Sequence, residues 1–179
     1  METINSIQNF DTTWIENLAI EELNMEETGI VHIDEHLNPA LYLEESSIKL
    51  MDQIRQNFDL YISKFNEYRN SSASLIKVFK ISNTVNDFML FRNSLRLVVA
   101  RKSNDVISIG LLTGSKDIIS PRLPDSLNQK PLSSLSRGHE LKAHLGPFNK
   151  IMWKFQGEDI DAEVMARFYL TEFIRNSSR

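Results

Sequence analysis

Read for the spacing of its hydrophobic and polar positions, the chain changes period near residue 72. Ahead of that point apolar residues recur at helical spacing, and behind it they alternate. From Ser46 or Ser47 to about Arg69, apolar side chains fall at Met51, Ile54, Phe58, Tyr61, Phe65 and Tyr68. This 3-4-3-4-3 spacing gathers them into one helical seam, with Met51, Phe58, Tyr61 and Phe65 at its centre. The seam predicts a helix laid across a sheet or another helix, and it would also suit a homodimer through helix 46–69. An earlier helix over about 12–26 follows from Trp14, Ile15, Leu18 and Ala19, with Asp11 as N-cap and Gly29 as the stop. The stretch Ile30–Leu43 is ambiguous: Ile30-Val31-His32-Ile33 suits a short strand, and Asn38-Pro39 interrupts any helix there.

Beyond the polar segment Asn70-Ser-Ser-Ala-Ser74 the alternation predicts strands over Leu75–Ile81, Phe88–Arg92, Leu95–Arg101 and Val106–Leu112. Asn93-Ser94 and Lys102–Asp105 serve as the turns of an antiparallel meander. Val98-Val99-Ala100 and Val106–Leu112 are apolar at successive positions, so the middle strands are expected to be covered on both faces. Residues 113–138, rich in Pro, Gly and Ser, read as a long surface insertion. His139–Leu145 and Asn149–Phe155 then form a second hairpin around Gly146-Pro147-Phe148. A three-residue loop there would set Leu141 opposite Trp153, Ala143 opposite Ile151 and Glu140 opposite Lys154. A last helix, capped by Asp159 or Asp161, runs to about Asn176 with Met165, Ala166, Tyr169, Leu170 and Phe173 on its apolar stripe. The expected fold is α+β: two N-terminal helices, a largely antiparallel sheet of about six strands and a C-terminal helix packed on the sheet. The element order is loosely similar to that of pleckstrin-homology-like barrels, one strand short, and the similarity of order implies no function.

Charge divides the same sequence. Residues 1–72 hold fourteen Asp/Glu against four Lys/Arg, and residues 73–179 hold ten against sixteen, within a net charge of −4. This marks an acidic helical segment, 1–72, and a basic antiparallel-sheet domain, 73–179, expected to form one structural unit. A basic half facing an acidic one points to an anionic partner, or to neutralisation of one half by the other. With 41% hydrophobic residues, ten Phe and two Trp, the chain has material for a packed core. It contains no Cys, which removes disulfides and thiol chemistry and fits a reducing compartment. No apolar run approaches the roughly 20 residues of a membrane span, and the N-terminus lacks the basic and apolar regions of a signal peptide. The expected setting is the cytoplasm, with no membrane contact.

Candidate chemistry is sparse. His32-Ile-Asp-Glu35-His36 reads H-x-x-E-H, and this five-residue order resembles that of inverzincin metalloproteases. The resemblance implies His32 and His36 as zinc ligands on one helix face, with Glu35 activating water. Ile30-Val31 and Pro39 leave little room for that helix, so the segment reads first as a surface turn. His139 and His144 fall on opposite faces of one strand and cannot share a metal. No nucleophile elbow and no phosphate-binding Gly-rich loop is present. Neither a catalytic set nor a cofactor is therefore expected. The basic residues suggest a partner-binding set instead: Lys142, Lys150, Lys154 and Met152 on the outward side of the second hairpin, with Arg92 and Arg96 flanking the Asn93-Ser94 turn. The leading reading is a non-catalytic protein-interaction or regulatory module within a larger cytoplasmic assembly, with a protein as partner. Exposure of Met51, Phe58 and Phe65 would mark its docking seam. The alternative is nucleic-acid binding through the outward face of the 139–155 hairpin, and a remoter one is a zinc hydrolase built on segment 32–36. Trp153 and Phe155 point to the core side, which leaves the basic face without an expected stacking platform.

Overall fold

The structure, a computed structural model, describes residues 11–30, 38–112, 118–119 and 138–178. The chain divides into two compact units, Met1–Asn38 and Pro39–Arg179. In the first, helix α1 spans Thr13–Thr28 and none of its residues is buried. Thr12, not Asp11, takes the N-cap position. Asp11 acts from one residue further out, its carboxylate accepting the Thr13 N–H at 3.1 Å. Gly29 ends the helix as expected: at φ 68° its N–H reaches Met25 O, a left-handed close that glycine adopts without strain.

In the second unit, helix α2 runs from Pro39 to Glu67. Pro39 thus opens a helix rather than interrupting one. A proline in the first turn gives up an N–H that would have no partner there, and its ring fixes φ at a helical value. The helix starts well before Ser46 and stops before Tyr68, which is 84% exposed. Among the described residues eight strands follow: β1 (Lys77–Lys80), β2 (Phe88–Arg92), β3 (Leu95–Ser103), β4 (Val106–Leu112), β5 (Ile118–Ile119), β6 (His139–Leu145), β7 (Ile151–Phe155) and β8 (Glu158–Asp159). Helix α3, Ala162–Asn176, is capped by Asp161, whose carboxylate accepts the N–H groups of Glu163 and Val164.

The fold class is the α+β arrangement expected, with α3 packed on the sheet. Strand order is β1-β2-β3-β4-β6-β7-β8, every neighbour antiparallel. The path is open among the described residues, unlike a closed barrel. One edge of β4 is shared, with β6 on Val106–Ile109 and β5 on Leu111–Leu112. Gly138 stands at this hand-over, where a Cβ would lie 2.6 Å from Ile109 O, so only glycine lets β6 enter beside β4. The remainder of the expected insertion lies outside the described residues.

Two turns differ from expectation. The β3–β4 ladder shifts register between Arg101 and Ser103, so the tip narrows to Asn104-Asp105. The β6–β7 connection occupies 146–150, with Pro147–Asn149 in a 3-10 turn and Phe148 at φ 58°. It therefore pairs Lys142 with Lys154 and Ala143 with Trp153, two residues away from the three-residue-loop register. A slip of two keeps every side chain on its face, so Leu141 and Trp153 stay inward while Glu140 loses Lys154. Glu140 instead bonds Lys102 Nζ at 2.6 Å.

Both α2 and α3 cover one face of the sheet. Met51, Ile54 and Phe58 of α2 and Ala166 and Phe173 of α3 are fully buried against Phe88, Leu90, Leu97, Val99, Ile107 and Ile109. Polar contacts fix α2 in place. Trp153 Nε1 donates to Ser46 Oγ at 2.9 Å and Arg101 Nη1 to buried Ser47 Oγ at 3.1 Å. Asn66 exchanges two 3.0 Å bonds with the Ile76 backbone, holding the end of α2 to the start of the sheet. On the second face, counting the described residues alone, Val98, Ala100 and Ser108 are half-buried and Gly110 is buried.

Candidate partner-binding face

Strand pleating decides which side chains reach that second face, since alternate residues point to opposite sides. Phe88, Leu90 and Arg92 point to the helices, so Met89 and Phe91 point outward. In register across the sheet, Lys77 of β1 lies beside Phe91 of β2, and Phe91 beside Arg96 of β3. The next outward row sets Phe79 beside Met89 and Met89 beside Val98. Phe79 is 43% exposed. The Arg96 guanidinium sits 5.9 Å from the Phe91 ring centroid, at the edge of cation–π range. At this end of the face, two phenyl rings are flanked by two cations.

The other end is basic. Lys142 and Lys154 stand directly opposite each other, an arrangement that is unfavourable for like charges. Lys154 is partly neutralised by Asp159 at 3.5 Å. Lys142, Lys77 and Arg96 take part in no ion pair among the described residues. Lys142, His144 and Lys154 line a cavity of about 390 Å³ together with Glu140, Gly138 and Gly157. An anionic group entering it would meet two ammonium groups, one of them paired with Asp159, and an exposed imidazole, with the Glu140 carboxylate opposing it.

Of the residues expected to bind a partner, Lys142, Lys154, Met152 and Arg96 share the outward face, and Lys150 is exposed in the β6–β7 turn. Arg92 does not belong with them. It has the parity of Phe88 and Leu90, points to the helices and is 5% exposed. Its Nη1 donates to Ser177 Oγ at 3.4 Å, and its guanidinium lies 5.3 Å from the Phe65 ring, which Arg69 approaches to 4.4 Å. Burial, and then the Arg69 charge, lower its pKa from the ordinary arginine value. Arg92 joins β2 to the end of α3 and is unavailable to a partner. The helix seam is spent in the same way: Met51 and Phe58 are fully buried in the core of their own chain, and Tyr61 and Phe65 are half-buried. The exposure expected of a docking seam is therefore missing at Met51 and Phe58.

The zinc-like segment with His32, Glu35 and His36 lies outside the described residues. His139 and His144 do take opposite faces. His139 Nδ1 lies 2.5 Å from the Tyr169 hydroxyl, and burial pushes the Tyr169 pKa well above the usual tyrosine value. Sequence reasoning missed Phe79, Phe91 and Lys77 as members of the outward face. The signal was available, since each alternates with a core residue, Val78 or Leu90. Among the described residues no helix is long and apolar enough to cross a membrane. Comparison with protein-family models, curated proteins and solved structures returns no match.

Proposed function

We propose that this chain is a non-catalytic interaction module that docks an anionic partner on the outward face of its sheet, as a regulatory part of a larger cytoplasmic assembly. The observation that carries the reading is the asymmetry of the sheet. Two helices cover one face, while the other presents Lys77, Arg96 and Lys142, which have no ion-pair partner among the described residues, beside partly exposed apolar residues. Unpaired cations at an apolar surface attract an oppositely charged partner and add contact area to the attraction. A cytoplasmic setting accords with a chain that has no cysteine to oxidise.

The test is retention on immobilised heparin, used as a generic polyanion, with a salt gradient. Replacing Lys77, Arg96 and Lys142 together by Gln should move elution to clearly lower salt with unchanged thermal stability. Equal elution of the two proteins would refute the docking face.

A further inference from the structure

Within that docking reading, on which this inference rests, we propose that the partner is a single-stranded nucleic acid whose bases stack on Phe79 and Phe91 while its phosphates meet Lys77, Arg96 and the Lys142 cavity. An acidic protein segment would need the cations alone. The outward face adds two aromatic rings on adjacent strands, Phe79, 43% exposed, and Phe91, half-buried with the Arg96 guanidinium beside it. Exposed rings beside cations are what an unpaired base and its phosphate require, because every base offers a π face and every nucleotide a charge.

The spacing agrees. Phe79 and Phe91 are diagonal neighbours on antiparallel strands, a relation that separates side chains by about 7–8 Å and keeps both rings within reach of one short run of bases. From β2 to β6 there are three strand intervals, about 15 Å across the sheet at the usual strand spacing. Lys142 pairs with Val106, six residues along β4 from the Leu112 that continues the Phe91–Arg96 row, a further ~20 Å along the strands, so a nucleic-acid strand leaving Phe91 must cross β3 and β4 on a diagonal of roughly 25 Å to set a phosphate between Lys142 and Lys154. Val98, Ala100 and Ser108 along that path carry small side chains that leave the surface low. A duplex hides its base faces, so it could use the cations but not the rings. Neither Phe79 nor Phe91 carries a hydrogen-bonding group to read base edges, which predicts tolerance of sequence.

The experiment is fluorescence anisotropy with the full chain and three probes: labelled oligothymidylate, its duplex with oligodeoxyadenylate, and labelled polyglutamate. The expected result is tightest binding to oligothymidylate, with a log–log salt slope of about −2 if three cations contact phosphates. Phe79→Ala should weaken that binding by roughly fivefold to a hundredfold and leave polyglutamate unchanged. Because Phe79 is partly exposed, an unaltered urea midpoint will confirm that the variant is folded. If polyglutamate binds as tightly as oligothymidylate and Phe79→Ala affects neither, the nucleic-acid proposal is overturned and the partner is an acidic protein. If the Lys77→Gln/Arg96→Gln variant binds every probe as the parent does, the docking face itself is overturned.

Discussion

Replacing Phe58 by Ala tests whether α2 is part of the core or a seam awaiting a second copy. Phe58 is fully buried and meets Phe88 edge-on, with ring centroids 5.9 Å apart at 66°. Removing a buried phenylalanine side chain costs about 3–5 kcal/mol, and a well-placed aromatic partner puts the value in the upper part of that range. With a urea slope near 2 kcal/mol per molar, a loss of about 4 kcal/mol lowers the unfolding midpoint by about 2 M. Leu60, on the same helix but 59% exposed, is the control, and Leu60→Ala should stay within about 0.5 kcal/mol. The assay is urea unfolding followed by far-UV circular dichroism at two protein concentrations tenfold apart. A homodimer held by the seam would give midpoints that rise with concentration, and Phe58→Ala would abolish that rise. Concentration-dependent midpoints, or a Phe58→Ala loss no larger than that of Leu60→Ala, would refute the packing argued for α2.

Tyr169→Phe should cost about 1 kcal/mol near neutral pH through the lost bond to His139. Burial raises the Tyr169 pKa, so its contribution is complete below the unfolded value near 10 and is lost as pH rises above it. The parent should therefore lose stability on the variant above about pH 10, by up to about 1.4 kcal/mol per pH unit, and parallel pH profiles would show that Tyr169 ionises freely in the folded state. Gly138→Ala would place a Cβ 2.6 Å from Ile109 O, forcing β6 from β4 at a cost of about 1–3 kcal/mol. Faster amide exchange confined to the start of β6 and the facing part of β4 is the expected signature, and an unchanged exchange pattern with unchanged stability would contradict the close approach.

How much of this fold could be read from sequence depended on whether a local rule or a long-range contact decided each element. Phe88–Arg92 and Val106–Leu112 have the bounds their alternation predicts, because period and flanking turns are both local. Asn93-Ser94 is a two-residue hairpin even without glycine, its residues taking φ 47° and 71°. The start of α2 was missed because Pro39 was read only as a breaker, although a first-turn proline is equally a helix starter. The β6–β7 register was missed for another reason. A loop of three residues and one of five leave the same side chains inward, so the hydrophobic pattern cannot tell them apart. Only the backbone of the turn distinguishes them, and Phe148 at φ 58° is not a residue from which a left-handed turn would be inferred.

The candidate face was harder to read because its members are neighbours only once the sheet has formed. Lys77, Phe91 and Arg96 come from three strands, and the row they form follows from two ladder registers. Reading each hairpin by itself found Arg96 and the lysines of the second hairpin but did not join Phe79 and Phe91 to them. The charge boundary was displaced for a related reason. Dividing the sequence at residue 72 assigns α2 to the acidic part, yet α2 supplies Met51, Ile54 and Phe58 to the core under the basic sheet. Divided at the structural boundary, residues 1–38 hold nine Asp/Glu and no Lys/Arg, and residues 39–179 hold fifteen Asp/Glu against twenty Lys/Arg. The second unit is thus cationic in its own right, by +5, with α2 included. Several of its cations are already committed: Lys102 to Glu140, Lys154 to Asp159, Arg55 to Asp59, Lys64 to Glu67 and Arg167 to Glu163, while Arg92 is buried. Lys77, Arg96 and Lys142 take part in no ion pair among the described residues and stand on the outward face, the first two beside the exposed Phe79 and half-buried Phe91 rings and Lys142 at the opposite end. Lys142 opposite Lys154 works against folding stability, whereas Arg96 has a contact in its own chain, the Phe91 ring, so the lysine pair is the part of the proposed docking face that packing alone does not account for.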